Sequence, residues 1–207
     1  MTAHGADPVY VEDIATHPQF VRLSRVRGVQ HDLRYASRNN FAGRSLYGNL
    51  DCAWLRAEAA AGLEAAAQWL AVQQPGWVLL VLDALRPQRV QEAIWADVEG
   101  TPMAMYFAHP GRGSIHSWGM AVDVTLRGPD GVEADMGSGF DEMSTLSHPD
   151  LHAEHLASGA LTAAHVARRD LLRQAMARGG FDGIGTEWWH FDHGERSRVR
   201  HDMPRVW

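Results

Sequence analysis

Ser114-Ile-His-Ser-Trp-Gly-Met-Ala-Val-Asp123 is the stretch around which the chain is organised, and Glu187-Trp-Trp-His190 complements it far downstream. Between them they provide two imidazoles and two carboxylates. Two His nitrogens and one carboxylate oxygen form the protein ligands of many catalytic zinc sites, which keep a fourth position open. A carboxylate that lies beside such a metal without binding it can act as general base. The two stretches therefore indicate a hydrolytic zinc site, with His116, Asp123 and His190 as ligands and Glu187 as base.

The spacing of these residues is weak evidence by itself, because a single His or Asp is more often a structural or surface residue. The local context favours the metal site. Gly119 and Ala121 are small residues in an otherwise β-prone run. Small residues are expected in a strand where the backbone bends or must approach another group closely.

Three further blocks of sequence accompany the Ser-x-His-x6-Asp and Glu-x-Trp-His motifs. They are Asp32-Leu-Arg-Tyr-Ala-Ser-Arg-Asn-Asn-Phe-Ala-Gly43, Asp83-Ala-Leu-Arg-Pro-Gln-Arg89 and Met136-Gly-Ser-Gly-Phe-Asp141. Because these blocks occur in the same order as in that family, the sequence resembles the zinc D-alanyl-D-alanine dipeptidases of the vancomycin-resistance type. The resemblance covers the chain from about Tyr10 to Asp192.

The resemblance implies one Zn²⁺ per chain, a D,D-dipeptide substrate and roles for four more residues. Arg86 would stabilise the charge that develops on the oxygen of the tetrahedral intermediate. Tyr35 and Asp141 would hold the free amino group of the substrate, and Ser114 would contact the substrate. Each residue also has a structural alternative: a surface ion pair for Arg86, an aromatic at the edge of the core for Tyr35, a turn residue for Asp141, and loop support for Ser114.

His148, His152 and His155 form a second His-rich pattern, His-x3-His-x2-His. The metalloprotease helix motif requires a Glu directly after its first His, and His148 is followed by Pro149 instead. Pro149 also disfavours a helix at that point. We therefore interpret these three residues as surface histidines.

The composition is typical of a globular protein, and we expect one domain over residues 1–207 with residues 1–9 loosely held. The chain has 207 residues, 45% of them hydrophobic, and a formal net charge of −6, which disfavours nucleic acid as a partner. Cys52 is the single cysteine. Because no signal peptide or long apolar segment is visible, we expect a cytoplasmic protein that does not bind membranes. The oligomeric state is left open.

The hydrophobic pattern predicts an α+β fold, with a mostly antiparallel central sheet and helices packed largely on one side. The Ala- and Leu-rich pattern from Asp51 to Gln73 favours a helix, and Thr162 is a typical cap for another. The predicted strands are Val26–Tyr35, Trp77–Leu82, Trp118–Leu126, a hairpin arm at Val132–Met136, and Thr186–Phe191. If Glu187 and His190 share a flat strand, they point to opposite faces, so either the segment twists or bulges or the two groups reach one site from different sides.

Three other functions remain open at this point. A D,D-carboxypeptidase or endopeptidase acting on peptidoglycan stem peptides would use the same metal set. A non-haem iron oxygenase also uses two His and one carboxylate, but it gives Glu187 no role. A non-catalytic zinc-containing binding domain, such as the signalling domain of hedgehog proteins, would need neither Glu187 nor Arg86.

Overall fold

A five-stranded mixed sheet is the centre of the computed structural model, which describes residues 8–207. Within these residues the strands are β1 (Phe20–Arg22), β2 (Val29–His31), β3 (Trp54–Arg56), β4 (Val78–Asp83), β5 (Ala121–Arg127), β6 (Phe181–Gly183) and β7 (His190–His193). The central sheet has the order β2-β4-β5-β7-β6, and β1 and β3 form a separate antiparallel pair. Within the central sheet only β2 and β4 are parallel. The predicted α+β fold with a mostly antiparallel sheet is therefore confirmed.

Two long helices cover one face of this sheet. The helices are α1 (Ala57–Gln73), α2 (Gln88–Val98), α3 (His152–Ser158), α4 (Ala163–Arg178) and α5 (Arg196–Asp202). Helices α1 and α4 contact each other, and they share one hydrophobic core with Val122 and Val124 of β5. Successive strand residues point to opposite faces, so Asp123 lies on the face turned away from these helices. That face carries the polar residues described below.

The start of helix α1 is set by the strand residues that precede it. The predicted start at Asp51 is wrong, because Trp54–Arg56 pair with β1 and the helix begins only at Ala57. The predicted inward face is confirmed, since Ala59, Leu63 and Leu70 are fully buried. Helix α4 begins as predicted: the Thr162 side chain accepts from the His165 amide in a capping box.

Trp77–Leu82 matches β4 (Val78–Asp83) to within one residue, whereas the other predicted strands are too long. Of Val26–Tyr35 only Val29–His31 pairs, and Arg34–Ala36 form a 3₁₀ turn. Trp118 belongs to a 3₁₀ helix, Ile115–Trp118, that precedes β5. The expected arm Val132–Met136 is reduced to one bridge between Arg127 and Glu133.

The last strand is also shorter than predicted, because it begins at His190 and not at Thr186. Glu187 therefore lies in the preceding loop, and the alternation of faces within a strand does not apply to this pair. Of the two expected alternatives, a twist or bulge within one strand is not needed, because the loop brings Glu187 to the site and the strand brings His190.

The C-terminal segment supports the 3₁₀ helix that carries His116. The Val206 amide donates to the Ser117 carbonyl at 2.8 Å, and the Gln88 amide donates to the Val206 carbonyl at 2.8 Å. Val9 is buried and bridges to Val206; the rest of the expected loose segment, apart from Pro8, lies outside the described residues. None of the helices in residues 8–207 has the length and apolar character needed to cross a bilayer.

Candidate metal-dependent active site

The register of the sheet places three acidic and imidazole side chains in one row. Asp83 at the end of β4 pairs with Asp123 of β5, and Asp123 pairs with His190 of β7. Residues directly opposite each other on neighbouring strands share a face of the sheet. The row therefore brings together groups that are separated by 40 and 67 positions in the chain (123 − 83 and 190 − 123).

His116 reaches this row from the 3₁₀ helix before β5. The turn into the strand is made by Gly119, whose φ is +69°, a conformation that favours glycine. A Cβ at Gly119 would lie 2.8 Å from the Phe20 ring and 3.2 Å from the Arg56 amide, so a larger residue does not fit there. The Arg86 amide also donates to the His116 carbonyl, at 3.2 Å.

His116, Asp123 and His190 converge on a common point. His116 Nε2 lies 3.2 Å from His190 Nδ1 and 3.3 Å from Asp123 Oδ1, and His190 Nδ1 lies 3.0 Å from Asp123 Oδ1. A tetrahedral shell with bonds of about 2.0–2.1 Å places its ligand atoms about 3.3–3.4 Å apart. The three atoms are thus spaced as the ligands of one metal ion.

The hydrogen bonds of the outer ring nitrogens assign lone pairs to the converging atoms. His116 Nδ1 lies 2.7 Å from the Ala84 carbonyl, so it carries the proton and leaves Nε2 as an acceptor. His190 Nε2 donates in the same way to Asp192 Oδ1 at 2.9 Å. Three acceptors therefore face one another, an arrangement that requires a cation. The residues fit a bound metal ion, with Ala84 and Asp192 orienting its two imidazoles.

The pKa directions agree with this need for positive charge. Burial acts to lower the pKa of His190, but the carboxylates of Asp192 and Asp123 outweigh it and hold that pKa well above its ordinary value. Burial acts to raise the pKa of Asp123, but His116 and His190 lower it below its ordinary value. In the absence of a metal, a proton on His190 supplies the missing charge.

Glu187 lines the same cavity as the three ligand residues, and its side chain has no bonding partner within residues 8–207. The residue is 8% exposed, and among the described residues its side chain makes no hydrogen bond or ion pair. Burial, together with the Asp123 carboxylate and against the opposing effect of His190, raises its pKa to about 7. A carboxylate with a pKa near the working pH is suited to accept and return a proton.

The neighbours of Glu187 hold its loop in place. The Trp189 carbonyl accepts from the Val124 amide at 2.9 Å. The Trp188 indole donates to Ser138 Oγ at 3.0 Å, and Ser138 is held in turn by the buried Arg169 at 2.9 Å. Arg169 also donates to the Met136 carbonyl at 2.7 Å. The loop before Asp141 and the loop with Glu187 are therefore joined through one guanidinium group.

Arg86 is a buried cation beside the ligand row. Its guanidinium group donates twice to Asp83 Oδ2, at 3.0 and 2.6 Å, and lies 3.5 Å from Asp123 Oδ2. Gln91 accepts a further bond at 3.1 Å, and Tyr47 donates to the other oxygen of Asp83. Burial acts to lower the pKa of Arg86, but Asp83 keeps it well above its ordinary value. The group is a fixed, permanent charge.

Tyr35 and Asp141 form a pair at the same end of the cavity as Arg86. The Tyr35 hydroxyl donates to Asp141 Oδ1 and the Phe41 amide donates to Oδ2, each at 3.3 Å. The Arg86 guanidinium lies 4.8 Å from the centre of the Tyr35 ring. Burial and the Asp123 carboxylate raise the pKa of Asp141 well above its ordinary value. A cation that reached this carboxyl group would lower that pKa again.

All eight residues expected at the site line one cavity of about 240 Å³. They are Tyr35, Arg86, Ser114, His116, Asp123, Asp141, Glu187 and His190. Ser114 is buried at 6% exposure, and its side chain makes no hydrogen bond within residues 8–207. Asp141 has a positive φ of 59°, so it occupies a turn conformation as well as a wall of the cavity.

The three histidines of the second pattern lie apart from this centre and bind three different groups. His148 Nε2 lies 3.1 Å from the Tyr106 hydroxyl, and His155 Nε2 lies 2.8 Å from the Thr145 carbonyl. His152 Nε2 lies 3.1 Å from Arg169. Within the described part of the chain, the converging metal-type group is His116, Asp123 and His190.

Four supporting residues were not identified from the sequence: Asp83, Asp192, Tyr47 and Gln91. Asp192 carries a usable signal, because a residue two positions after a strand ligand lies on the same face as that ligand. Asp83 also has a signal in its three-residue spacing from Arg86. Tyr47 and Gln91 have none, since they reach Asp83 and Arg86 only through tertiary folding.

Comparison with known proteins agrees with this geometry. A peptidase M15 family model described as D-ala-D-ala dipeptidase matches residues 16–206. The D-alanyl-D-alanine dipeptidase of Escherichia coli (strain K12) is 38% identical over 162 residues, which cover 78% of this chain and 77% of that protein. Those of Streptomyces coelicolor and Enterococcus faecium are 31% and 32% identical, each covering 80% of this chain and 86% of the relative. On this evidence the chain belongs to the M15 peptidase family, whose model is described as D-ala-D-ala dipeptidase.

Proposed function

We propose that this protein hydrolyses D-alanyl-D-alanine or a close D,D-dipeptide, with one Zn²⁺ bound by His116, Asp123 and His190. The observation that carries the proposal is the convergence of His116 Nε2, His190 Nδ1 and Asp123 Oδ1 at 3.0–3.3 Å from one another. Two nitrogens and one oxygen at this spacing suit zinc. The relatives named D-alanyl-D-alanine dipeptidase support the substrate class.

Zinc, when bound, supplies a Lewis acid that polarises the scissile carbonyl and raises the acidity of water. Glu187 takes the proton of the attacking water and returns it to the leaving amine. Its position in a buried loop without a hydrogen-bond partner among the described residues keeps its pKa at about 7. Near neutral pH the carboxyl group can therefore both accept the proton from water and release it to the leaving amine.

Arg86 stabilises the negative charge that develops on the carbonyl oxygen. Asp83 and Gln91 hold its guanidinium group in place before the substrate arrives. A fixed donor in a buried site needs no reorganisation during the reaction, which is the basis of oxyanion stabilisation.

Asp141 and Tyr35 bind the free amino group of the substrate, and Ser114 contacts the substrate from the loop before His116. An ammonium group beside Asp141 lowers the raised pKa of that carboxyl group and forms a charge-assisted hydrogen bond. Since Asp141 lies in the same small cavity as the ligands, the amino group must be close to the scissile bond. This arrangement favours a dipeptide over a longer peptide.

The test is a panel of D,D-, L,D- and L,L-dipeptides with N-acetyl-D-Ala-D-Ala, assayed alongside zinc analysis. We expect about one zinc per chain and preferred cleavage of the free D,D-dipeptide. His116→Ala, Asp123→Ala and His190→Ala should each lose the metal. Glu187→Gln should keep the metal and lose at least ~10²-fold in kcat.

Two results would contradict the proposal. Full zinc content in all three ligand variants would remove the metal assignment. Equal cleavage of the acetylated and the free dipeptide would instead favour a carboxypeptidase or endopeptidase, and Asp141 would be a turn residue only.

A further inference from the structure

Three guanidinium groups line the cavity on the side of helix α5. They belong to Arg112, Arg196 and Arg200. Arg196 is neutralised, because its Nε lies 2.5 Å from Asp192 Oδ2. Arg112 and Arg200 form no ion pair with a carboxylate of residues 8–207. Two positive charges at the wall of the cavity therefore have no anionic partner in the described protein.

The order of the strands shows on which side of the metal ligands these charges lie. Arg86, Tyr35 and Asp141 adjoin the end of β4, on one side of Asp123. Asp192 and Arg196 adjoin His190 on β7, which is the strand on the other side of β5. Arg200 lies one turn along α5 from Arg196 and is close enough to Arg112 and Asp192 to feel both charges. The arginines and Asp141 are thus at opposite ends of the site.

The guanidinium group of Arg200 retains unused hydrogen-bond donors. Its Nη2 reaches the Gly113 carbonyl only at 3.4 Å, and its Nε is buried without a partner in the described chain. Burial and the charge of Arg112 lower the pKa of Arg200. A buried donor without an acceptor and a pair of like charges both destabilise the ligand-free state. An anion between Arg112 and Arg200 would offset the repulsion between these two charges.

We propose that Arg112 and Arg200 bind the free α-carboxylate of the substrate's C-terminal residue. The inference rests on the proposed function and adds to it a recognition element for the leaving side. Paired guanidinium groups suit the two oxygens of a carboxylate. With Asp141 at the other end, the cavity is complementary to a zwitterion that has an ammonium group and a carboxylate on either side of the scissile bond. Each charged end of a dipeptide then binds to a group of opposite charge in the cavity.

The experiment measures equilibrium binding, so that it does not depend on turnover. Calorimetric titration of zinc-loaded Glu187→Gln protein compares D-Ala-D-Ala with D-alanyl-D-alaninamide, which lacks only the carboxylate charge. We expect the amide to bind at least ~10-fold more weakly, about the effect of one charge-assisted hydrogen bond. Arg200→Met in the same background should weaken D-Ala-D-Ala by at least ~10-fold and leave the amide unchanged. Arg112→Met should act in the same direction.

Arg198→Met is the matched control, because Arg198 lies on the same helix, is 79% exposed and pairs with Asp202. It should bind both ligands as the parent does. Zinc content and circular dichroism check that each variant is folded. If Arg200→Met does not fold, Arg112→Met carries the test, since Arg112 is exposed and makes no side-chain hydrogen bond in the described chain.

The inference would be overturned if the parent bound D-Ala-D-Ala and D-alanyl-D-alaninamide equally well, or bound neither measurably. It would also be overturned if Arg200→Met and Arg112→Met lost the same affinity for both ligands. Hydrolysis by the wild type is assayed separately. Turnover without a carboxylate preference would refute the anion subsite and leave the proposed function intact. Carboxylate-dependent binding without turnover would refute the function and leave the subsite.

Discussion

Replacing Glu187 by Gln should stabilise the metal-free protein at alkaline pH, even though the residue is proposed to be the catalytic base. The Glu187 carboxyl group is buried, makes no hydrogen bond in residues 8–207, and has its pKa raised from 4.5 to about 7. Burial without a partner penalises the ionised form. A glutamine side chain at this position would have nearly the same shape without that charge.

The sign and size follow from proton linkage. Below pH 4.5 the carboxyl group is neutral in both states, and the two proteins should differ little. As the pH rises to about 7, the unfolded chain releases the proton while the folded chain keeps it, so the wild type loses stability relative to the variant. The difference between about 7 and 4.5, at about 1.36 kcal/mol per pKa unit, corresponds to about 3 kcal/mol above pH 7.

Urea unfolding in the presence of a chelator measures this difference. The free energies of unfolding of the wild type and Glu187→Gln should separate by about 2–3 kcal/mol more at pH 8 than at pH 5. Glu99→Gln, at an exposed glutamate, should follow the wild type at both pH values. A gap that stays constant from pH 5 to pH 8 would refute the reasoning. Excess zinc should narrow the gap, because a nearby cation favours the ionised carboxylate.

Three further predictions concern residues that support the site. Asp192→Asn should weaken zinc binding by about 10–100-fold in chelator competition, because His190 loses its carboxylate acceptor; unchanged affinity would contradict this, and exposed Asp182→Asn is the control. Asp141→Asn should reduce cleavage of D-Ala-D-Ala more than that of N-acetyl-D-Ala-D-Ala; equal losses would contradict its binding of the amino group. Arg169→Met should lower the free energy of unfolding, measured in urea, by about 3 kcal/mol or more, because buried acceptors lose a charged donor. Arg173→Met, at a 69% exposed side chain, is the control and should have little effect. Equal stability of the two variants would contradict the role of Arg169.

The sequence by itself determined the features that depend on short spacings. Helix α4 is an example, since its Thr162 cap and the following pattern lie within one continuous segment. The buried strand β4 is another, because an uninterrupted apolar run needs no partner to be identified. The resemblance of these ordered blocks also indicated the family and the composition of the site.

The tertiary structure decided where strands end and which distant groups meet. Trp54–Arg56 follow the residue predicted as the start of a helix, yet they form a strand, because β1 offers backbone partners that the local pattern does not reveal. Glu187 is separated from the strand of His190 for a similar reason: the register with β5 and β6 begins at His190, and before it the Trp189 carbonyl makes a last bond to Val124 of β5.

The electrostatic surroundings of the site were also decided by the tertiary structure. Arg112 and Arg200 are 88 positions apart (200 − 112), and no spacing rule relates them. They line one cavity because helix α5 packs against the 3₁₀ helix of His116. Hydrophobic periodicity specifies which face of a segment is buried. It does not specify which loop that face meets, and charges that act through space depend on that meeting alone.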